Sequence, residues 1–312
     1  MPSHSINLLI SVPGKFHILQ FLEDIFDNRN YYRIITSSPK LYKELKTKNK
    51  KNISVLLIIK PFQLISKILK IKVPRWLKYF DSIIFDFLVS IFISKKIKAF
   101  YGFAGNSKIS ASKAKKYGCK VFLDRACPHV MFQENLLLRE GKKSGYIFKN
   151  NIVRSVNRSM IEYELCERII IPSGYTYNSF KKYGLSDKTF QLPLRHNQKF
   201  QNKKYKFVKD NKKIVFGMLG GNPLRKGVFY LLKAWDSFKY KNNSKLILKS
   251  RKDLLVQSKH IKSIIDKNTS IVVDESFYQD IYEFYAKIDV FCLTSIDDGF
   301  GMVVAEAARC SK

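Results

Sequence analysis

The sequence predicts an α/β protein made of two open parallel sheets in tandem, and three observations carry that expectation. Short apolar runs rich in Ile, Val, Leu and Phe recur along the chain, each followed by a segment long enough for a helix. Strands that alternate with helices at this spacing are joined by right-handed crossovers, which makes the sheets parallel. A polar, lysine-rich stretch, 196–212, breaks the rhythm once and reads as a linker between a first domain, 1–195, and a second, 213–312. A chain of 312 residues is long enough for about two domains, each with its own core.

In the first domain, strands are expected at 6–12, 32–37, 53–59, 97–103, 120–124 and 168–173. Between the third and fourth of them, residues 75–96 form a helix with Trp76, Phe80, Ile83, Ile84 and Phe87 at helical spacing, a face expected to pack into the core. Its most apolar stretch, 82–93, is shorter than the ~20 residues that a bilayer span requires, so the alternative is a helix lying against a membrane. In the second domain, strands are expected at 213–219, 245–249, 270–274 and 289–295. Helices follow at 226–241, about 252–266 and 278–288, the first with Val228, Leu231, Leu232, Trp235 and Phe238 on one face.

The composition is strongly basic: 57 Lys and Arg against 25 Asp and Glu give a formal charge of +32. Such a field suits nucleic acid, an anionic membrane surface or phosphate-bearing substrates. The lysines are spread along the whole chain rather than gathered in one stripe, so solvated lysine faces are the plain alternative. Five cysteines, Cys119, Cys127, Cys166, Cys292 and Cys310, are odd in number, scattered and never in a CxxC pair, which suggests neither a disulfide framework nor a zinc site. The first residues lack a basic segment followed by a long apolar core, so no secretory signal is read and a cytoplasmic location is expected.

Open α/β sheets bind ligands beyond the carboxyl ends of their strands, so the residues just after strands come next. After the strand at 213–219 comes GGNPLRKG, 220–227, in which Gly220 and Gly221 allow close backbone approach and Arg225 and Lys226 add charge at a helix N-terminus. Cations there oppose the helix dipole by up to ~1 kcal/mol, so a diphosphate site is one reading and a basic surface loop the other. After the last strand comes DDGFGMVVAEA, 297–307, where Asp298 and Glu306 either grip paired hydroxyls of a sugar and a ribose or merely cap a helix and face solvent.

In the first domain, Asp124, Arg125, His129 and Glu140 follow a strand, and His129 could serve as acid, base or hydrogen-bond donor or be structural. Cys127, two residues before His129, lacks the third orienting group that a Cys/His nucleophile needs. Gly14 sits at a strand-to-helix turn, with Lys15 and His17 near the helix start.

Together these segments resemble the retaining glycosyltransferases of family 4, which have the GT-B architecture. The resemblance rests on GGNPLRKGVFYLLKAW (220–235) and on LTSIDDGFGMVVAEA (293–307), which has the spacing of the family's EX7E signature. It is supported by the Pro-Ser of IIIPSGYTYNSFKKYGL (169–185), by FQLPLRH (190–196) and by DRACPH (124–129). It implies two Rossmann-like domains facing a cleft and transfer of a sugar from a UDP- or GDP-sugar, with retention, to a glycan, lipid or polysaccharide precursor. Neither a metal nor a cofactor is implied.

Carried onto this chain, the resemblance implies that Arg225 and Lys226 neutralise the diphosphate beside Gly220. Asp298 then contacts the transferred sugar, Glu306 the ribose, and Phe300, Gly301 and Met302 offer backbone N–H groups. His129 lies beside the reacting sugar, and Gly14 in a loop near the phosphates. Cell-envelope polysaccharide synthesis, peripheral contact with an anionic inner membrane and no nucleic-acid partner follow. The alternative is an inactive fragment that binds a membrane or nucleic acid. In the family a Gly-x-Pro turn, a further strand and helices come after the second acid, whereas this sequence stops at Lys312. The expectation is therefore an incomplete second domain, from a partial or frameshifted gene.

Overall fold

A computed structural model describes residues 6–14, 31–47, 51–69, 74–146, 156–194, 213–276, 278 and 281–312. The whole stretch expected as linker lies outside the described residues, as do Lys15 and His17. The chain divides into two compact units, Met1–Val130 with Val153–Arg195 and Met131–Ile152 with His196–Lys312. The segment 131–152 thus groups with the second half of the sequence.

The first unit is built on a seven-stranded sheet of order β3-β2-β1-β4-β5-β6-β7, with every pairing parallel. Its strands are β1 (Ile6–Val12), β2 (Tyr31–Thr36), β3 (Ile53–Leu57), β4 (Ala99–Phe103), β5 (Lys120–Asp124), β6 (Arg168–Ile171) and β7 (Thr189–Gln191). Six of the seven are the apolar runs expected from the sequence. The seventh, β7, was expected only as the way into a linker: it is three residues long, mostly exposed, and pairs with β6 just before Pro193. Leu9, Ile10, Val12, Ile34 and Leu41 are buried in the core of this unit.

The helix Arg75–Ile91 departs from the expectation at Phe80 and Phe87, which face outward, while Ile83 and Ile84 are half-buried. Phe85 and Val89 are fully buried, while Phe80, Phe87 and Ile91 are 47%, 55% and 56% exposed. Two acids on the inward face decide this. Asp81 accepts hydrogen bonds from the backbone N–H groups of Phe62 and Gln63 at the start of the helix Pro61–Ile68. Asp86 does the same for Ile109 and Ser110 at the start of the helix Lys108–Lys116, and it pairs with the buried Arg158. Each carboxylate satisfies otherwise orphaned amides of a neighbouring helix, and turning it outward would strand buried donors. Apolar residues lie all round this helix, so spacing alone does not choose a face.

The second unit holds a four-stranded parallel sheet of order β10-β9-β8-β11. Its strands are β8 (Ile214–Leu219), β9 (Ser244–Lys249), β10 (Ile271–Asp274) and β11 (Val290–Phe291). The last is far shorter than the expected 289–295. Cys292 still bonds to the Gly217 carbonyl, but Thr294 leaves the sheet and turns its hydroxyl toward the carbonyls of Lys226 and Gly227. The helix expected over 226–241 begins at Val228 and ends at Asp236, and that expected over 278–288 shortens to Tyr282–Tyr285. The one expected over 252–266 breaks into Lys252–Leu255 and Lys259–Lys267, because Ser258 caps the second piece. The helix Val130–Lys143 is tied to this unit at Ser144, whose carbonyl accepts from the Ser258 hydroxyl, and by a hydrogen bond between Tyr230 and Glu140.

Candidate functional site

The order of the second sheet fixes where its site lies. From the central β8 the chain moves out through β9 and β10, then returns to the other side of β8 as β11. Neighbouring strands whose connections leave in opposite directions open a crevice at their carboxyl ends, and here that is the gap between β8 and β11. The loops that leave those strands are 220–227 and 292–301, the two motifs singled out in the sequence.

Backbone geometry locks these loops together. The carbonyl of Arg225 accepts from the amides of Ile296 and Asp297. Gly227 has φ 62°, and a Cβ on it would stand 1.9 Å from the Thr294 carbonyl oxygen, so a side chain here would force the loops apart. Gly220 carries the stem of Lys226: a Cβ at 220 would lie 2.4 Å from the Lys226 Cγ.

The side chains repeat the pairing. Arg225 Nε donates to Asp297 Oδ2 at 2.9 Å, and Lys226 Nζ to Asp298 Oδ2 at 2.5 Å. Asp297 is wholly buried and its Oδ2 also accepts from Gln133 Nε2 at 2.6 Å, while its Oδ1 has no partner among the described residues. Burial acts to raise the Asp298 carboxyl, but the hydrogen bond and charge of Lys226, the Gly301 amide and the charge of Arg225 together hold it below the usual carboxylate range. Asp298 is therefore ionised at neutral pH.

Glu306, in the helix Met302–Arg309, is not a solvent-facing residue. It is half-buried, and its Oε2 accepts from the Tyr285 hydroxyl at 3.0 Å. Tyr285 is fully buried, and burial, with the Glu306 charge after it, pushes its pKa far above the usual value, so it stays a donor. Asp298 does not cap that helix in the ordinary way: the N-cap is Gly301, with φ 72°, and Asp298 reaches only the Gly301 amide at 3.3 Å. Phe300 is 38% exposed at the rim, next to Gly301 and the half-buried Met302.

Gly14 and His129 belong to the first unit. Gly14 follows β1, which with β4 forms the switch point of that sheet, and the preceding Pro13 carbonyl accepts from Ser37 Oγ and the buried Lys60 Nζ, both at 2.7 Å. His129 is fully buried, stacked on Tyr183 at 4.1 Å between ring centroids and flanked by Tyr163 and Phe180. Neither ring nitrogen has a partner among the described residues. Burial, and Arg125 after it, push its pKa down to about 4, so the imidazole is neutral at pH 7. Asp124 accepts from the Tyr101 hydroxyl, Arg125 donates to the Pro128 carbonyl, and Glu140 pairs with Arg139 and Lys143 in the second unit.

Four residues of this site were not singled out in the sequence: Asp297, Gln133, Thr294 and Tyr285. Asp297 could have been suspected from the doubled acid opposite a doubled base, DD against RK. The other three carry no local signal. Among the described residues, no three His, Cys, Asp or Glu side chains gather as a metal-ligand set.

Residues 199–312 match the family described as Glycosyl transferases group 1. No curated protein matches the sequence. Among solved structures, the fold is similar to that of Anabaena HepE, determined with UDP and glucose: 12% identity over 98% of this chain and 79% of that one, TM-score 0.61. It is similar also to a trehalose-6-phosphate synthase studied for glycosyl transfer with retention, at 9% identity over 97% and 81% of the two chains, TM-score 0.62. The lipopolysaccharide outer core galactosyltransferase WaaB aligns at 12% identity over 98% and 78%, TM-score 0.52. At such identities the likeness is one of fold, and the chain is an α/β protein of the GT-B class with Rossmann-like units.

Proposed function

We propose that this chain, which carries a Glycosyl transferases group 1 domain over residues 199–312, transfers a sugar from a nucleoside-diphosphate donor to a glycan, lipid or polysaccharide precursor. Retention of anomeric configuration and independence from metal belong to the same reading. The observation that carries it is the meeting of Lys226 and Asp298, 2.5 Å apart, at the switch point of the second sheet. A cation and a carboxylate placed there suit the two unlike ends of a nucleotide-sugar, whose diphosphate is anionic and whose sugar offers hydroxyls.

In this reading Lys226 neutralises the charge that grows on the departing diphosphate, and the N-terminus of the helix Met302–Arg309, with the amides of Phe300, Gly301 and Met302, adds its partial positive charge. The chemistry is electrostatic, since the cation stands ready before charge develops. Asp298 takes hydroxyls of the transferred sugar. Glu306, oriented by Tyr285, takes the two hydroxyls of the ribose. Gly220 leaves room for the Lys226 stem and for the diphosphate beside it. Gly14 and His129 are assigned to the acceptor side. The halves expected at 1–195 and 213–312 are assigned to acceptor and donor, with the segment 131–152 going to the donor half.

UDP and GDP donors are both compatible with these groups; HepE was solved with UDP. We assign the protein to the cytoplasmic side of the inner membrane, in cell-envelope polysaccharide synthesis. Supporting this are the charge of +32 and the exposed apolar residues of two successive helices, Leu64, Ile65 and Ile68 on one and Phe80, Phe87 and Ile91 on the next. No helix among the described residues is long and apolar enough to cross a membrane.

Thermal shift with UDP-sugars, GDP-sugars and an oligonucleotide tests the donor assignment. A matching nucleotide-sugar at a hundredfold excess over Kd stabilises by roughly 2.7 kcal/mol. Glu306→Gln is expected to weaken that binding about tenfold, or ~1.4 kcal/mol, and Lys226→Met to abolish it. Stabilisation by the oligonucleotide alone would favour a nucleic-acid-binding protein, and stabilisation by no ligand would sink the transferase reading.

A further inference from the structure

The two cation–carboxylate pairs at the switch point are consecutive in sequence on both sides, 225 with 297 and 226 with 298, but they differ in how water reaches them. The Asp297 side chain is 0% exposed, and Gln133 occupies the same oxygen as Arg225 does. The side chains of Lys226 and Asp298 are 17% and 24% exposed. Separating the first pair would leave the buried Asp297 charge held by Gln133 without its cation, although the Arg225 side chain itself is 30% exposed, whereas both members of the second can be rehydrated or take a new partner as the two part.

Resting on the donor-site reading above, we infer that Asp298 is an internal stand-in for the donor diphosphate. It occupies the Lys226 ammonium until a diphosphate displaces it, and the freed carboxylate then takes the sugar hydroxyls. Arg225 does not exchange: it is a positioning residue, pinned by Asp297, that holds the two loops in register.

The geometry suits such an exchange. The backbones of Lys226 and Gly227 are fixed by the Thr294 hydroxyl, at 3.1 and 3.0 Å, so only side chains need to move. Lysine has a flexible four-carbon stem with a rotatable ammonium, where arginine has a rigid fork. The second oxygen of Asp298 is held on its own loop by the Gly301 amide at 3.3 Å, which keeps the carboxylate in place when the lysine leaves.

One consequence is unusual for an acid in a binding site. A free nucleoside diphosphate takes Lys226 and leaves Asp298 with only the Gly301 amide, while the intact nucleotide-sugar supplies a new partner for the oxygen that Lys226 vacates. The site therefore discriminates between donor and spent nucleotide, which favours release of the latter.

Calorimetric titration of the full chain with UDP and UDP-glucose, and with GDP and GDP-mannose, tests this. Asp298→Asn removes the competitor, so it is expected to bind UDP or GDP about tenfold more tightly than the unaltered chain does and to lose the preference for the nucleotide-sugar. Lys226→Met is expected to show no binding. Thermal melts without ligand accompany each variant, so that a loss of folding is not taken for a loss of binding. Weaker nucleotide binding by a folded Asp298→Asn chain overturns the stand-in. No nucleotide binding by the unaltered chain removes the donor site itself, a different result.

Discussion

Gly227 is the residue on which the packing of the two loops most depends. Its left-handed backbone alone costs a non-glycine residue on the order of 1–3 kcal/mol, and a methyl group would collide with the Thr294 carbonyl. Gly227→Ala is therefore expected to lower the unfolding free energy by at least that amount and to reduce nucleotide binding. Urea denaturation with titration checks this, and an unchanged midpoint would refute the geometry given for the loop. His129 gives a pH prediction. Its imidazole titrates near 6.5 when unfolded but only about 4 when folded, so the unfolded chain binds the extra proton first and stability is lost as pH falls from 6.5 toward 4. His129→Phe, which suits the aromatic surroundings, is expected to be less sensitive over that range; an identical pH slope for both chains would refute it. At this scale the site was partly legible. Lys226, Asp298 and Glu306 stood out because glycines and charges follow strand-like runs directly. Gln133 did not, because it reaches Asp297 across 164 positions from a helix on which a lone glutamine makes no pattern. The apparent fault of two cations at a helix N-terminus also resolves only in space, since each faces a carboxylate.

At the scale of elements, the instructive case is the helix Arg75–Ile91. Its periodicity pointed to a buried Phe80 and Phe87, and two inward acids set a rotation that exposes both and leaves Ile83 and Ile84 half-buried. Hydrophobic spacing ranks faces by apolar area, whereas a carboxylate that caps another helix is a constraint from outside the element and cannot be seen in its own sequence. The exposed face yields a test. Phe87→Asp with Ile91→Asp is expected to leave the unfolding free energy within about 0.5 kcal/mol and to reduce co-sedimentation with vesicles rich in anionic lipid. Phe85→Ala, two positions from Phe87 but fully buried, is expected to cost about 3–5 kcal/mol. If the double aspartate variant bound vesicles as well as the unaltered chain, this face would not be the one that meets the bilayer. Strands were easier to read than helices, because buried parallel strands are continuous apolar runs. Their ends were harder: β11 keeps two of its expected seven residues, since tertiary bonds to the other loop draw 294 onward out of the sheet.

At the scale of the whole molecule, the fold class and both sheets followed from the alternation of strands and helices, which is a property of the entire chain and survives errors in single elements. The grouping of 131–152 with the second unit did not follow from it, because linear order gives no sign that a helix such as Val130–Lys143 is held by Asp297, Tyr230 and Ser258. The lock between the two loops of the second unit also bears on how the protein reaches its native state. Arg225 and Asp297 are 72 residues apart, and β9 and β10 intervene. Closing so long a loop is entropically costly and comes late, after the local β8–β9 and β9–β10 crossovers have formed. A partly folded chain with three strands in place would have a hydrophobic sheet but no β11 to bring Asp298 to Lys226. On the donor-site reading proposed above, nucleotide is blind to that species and binds only the finished one, so the onset of nucleotide binding during refolding is expected to serve as a clock for the last strand to dock.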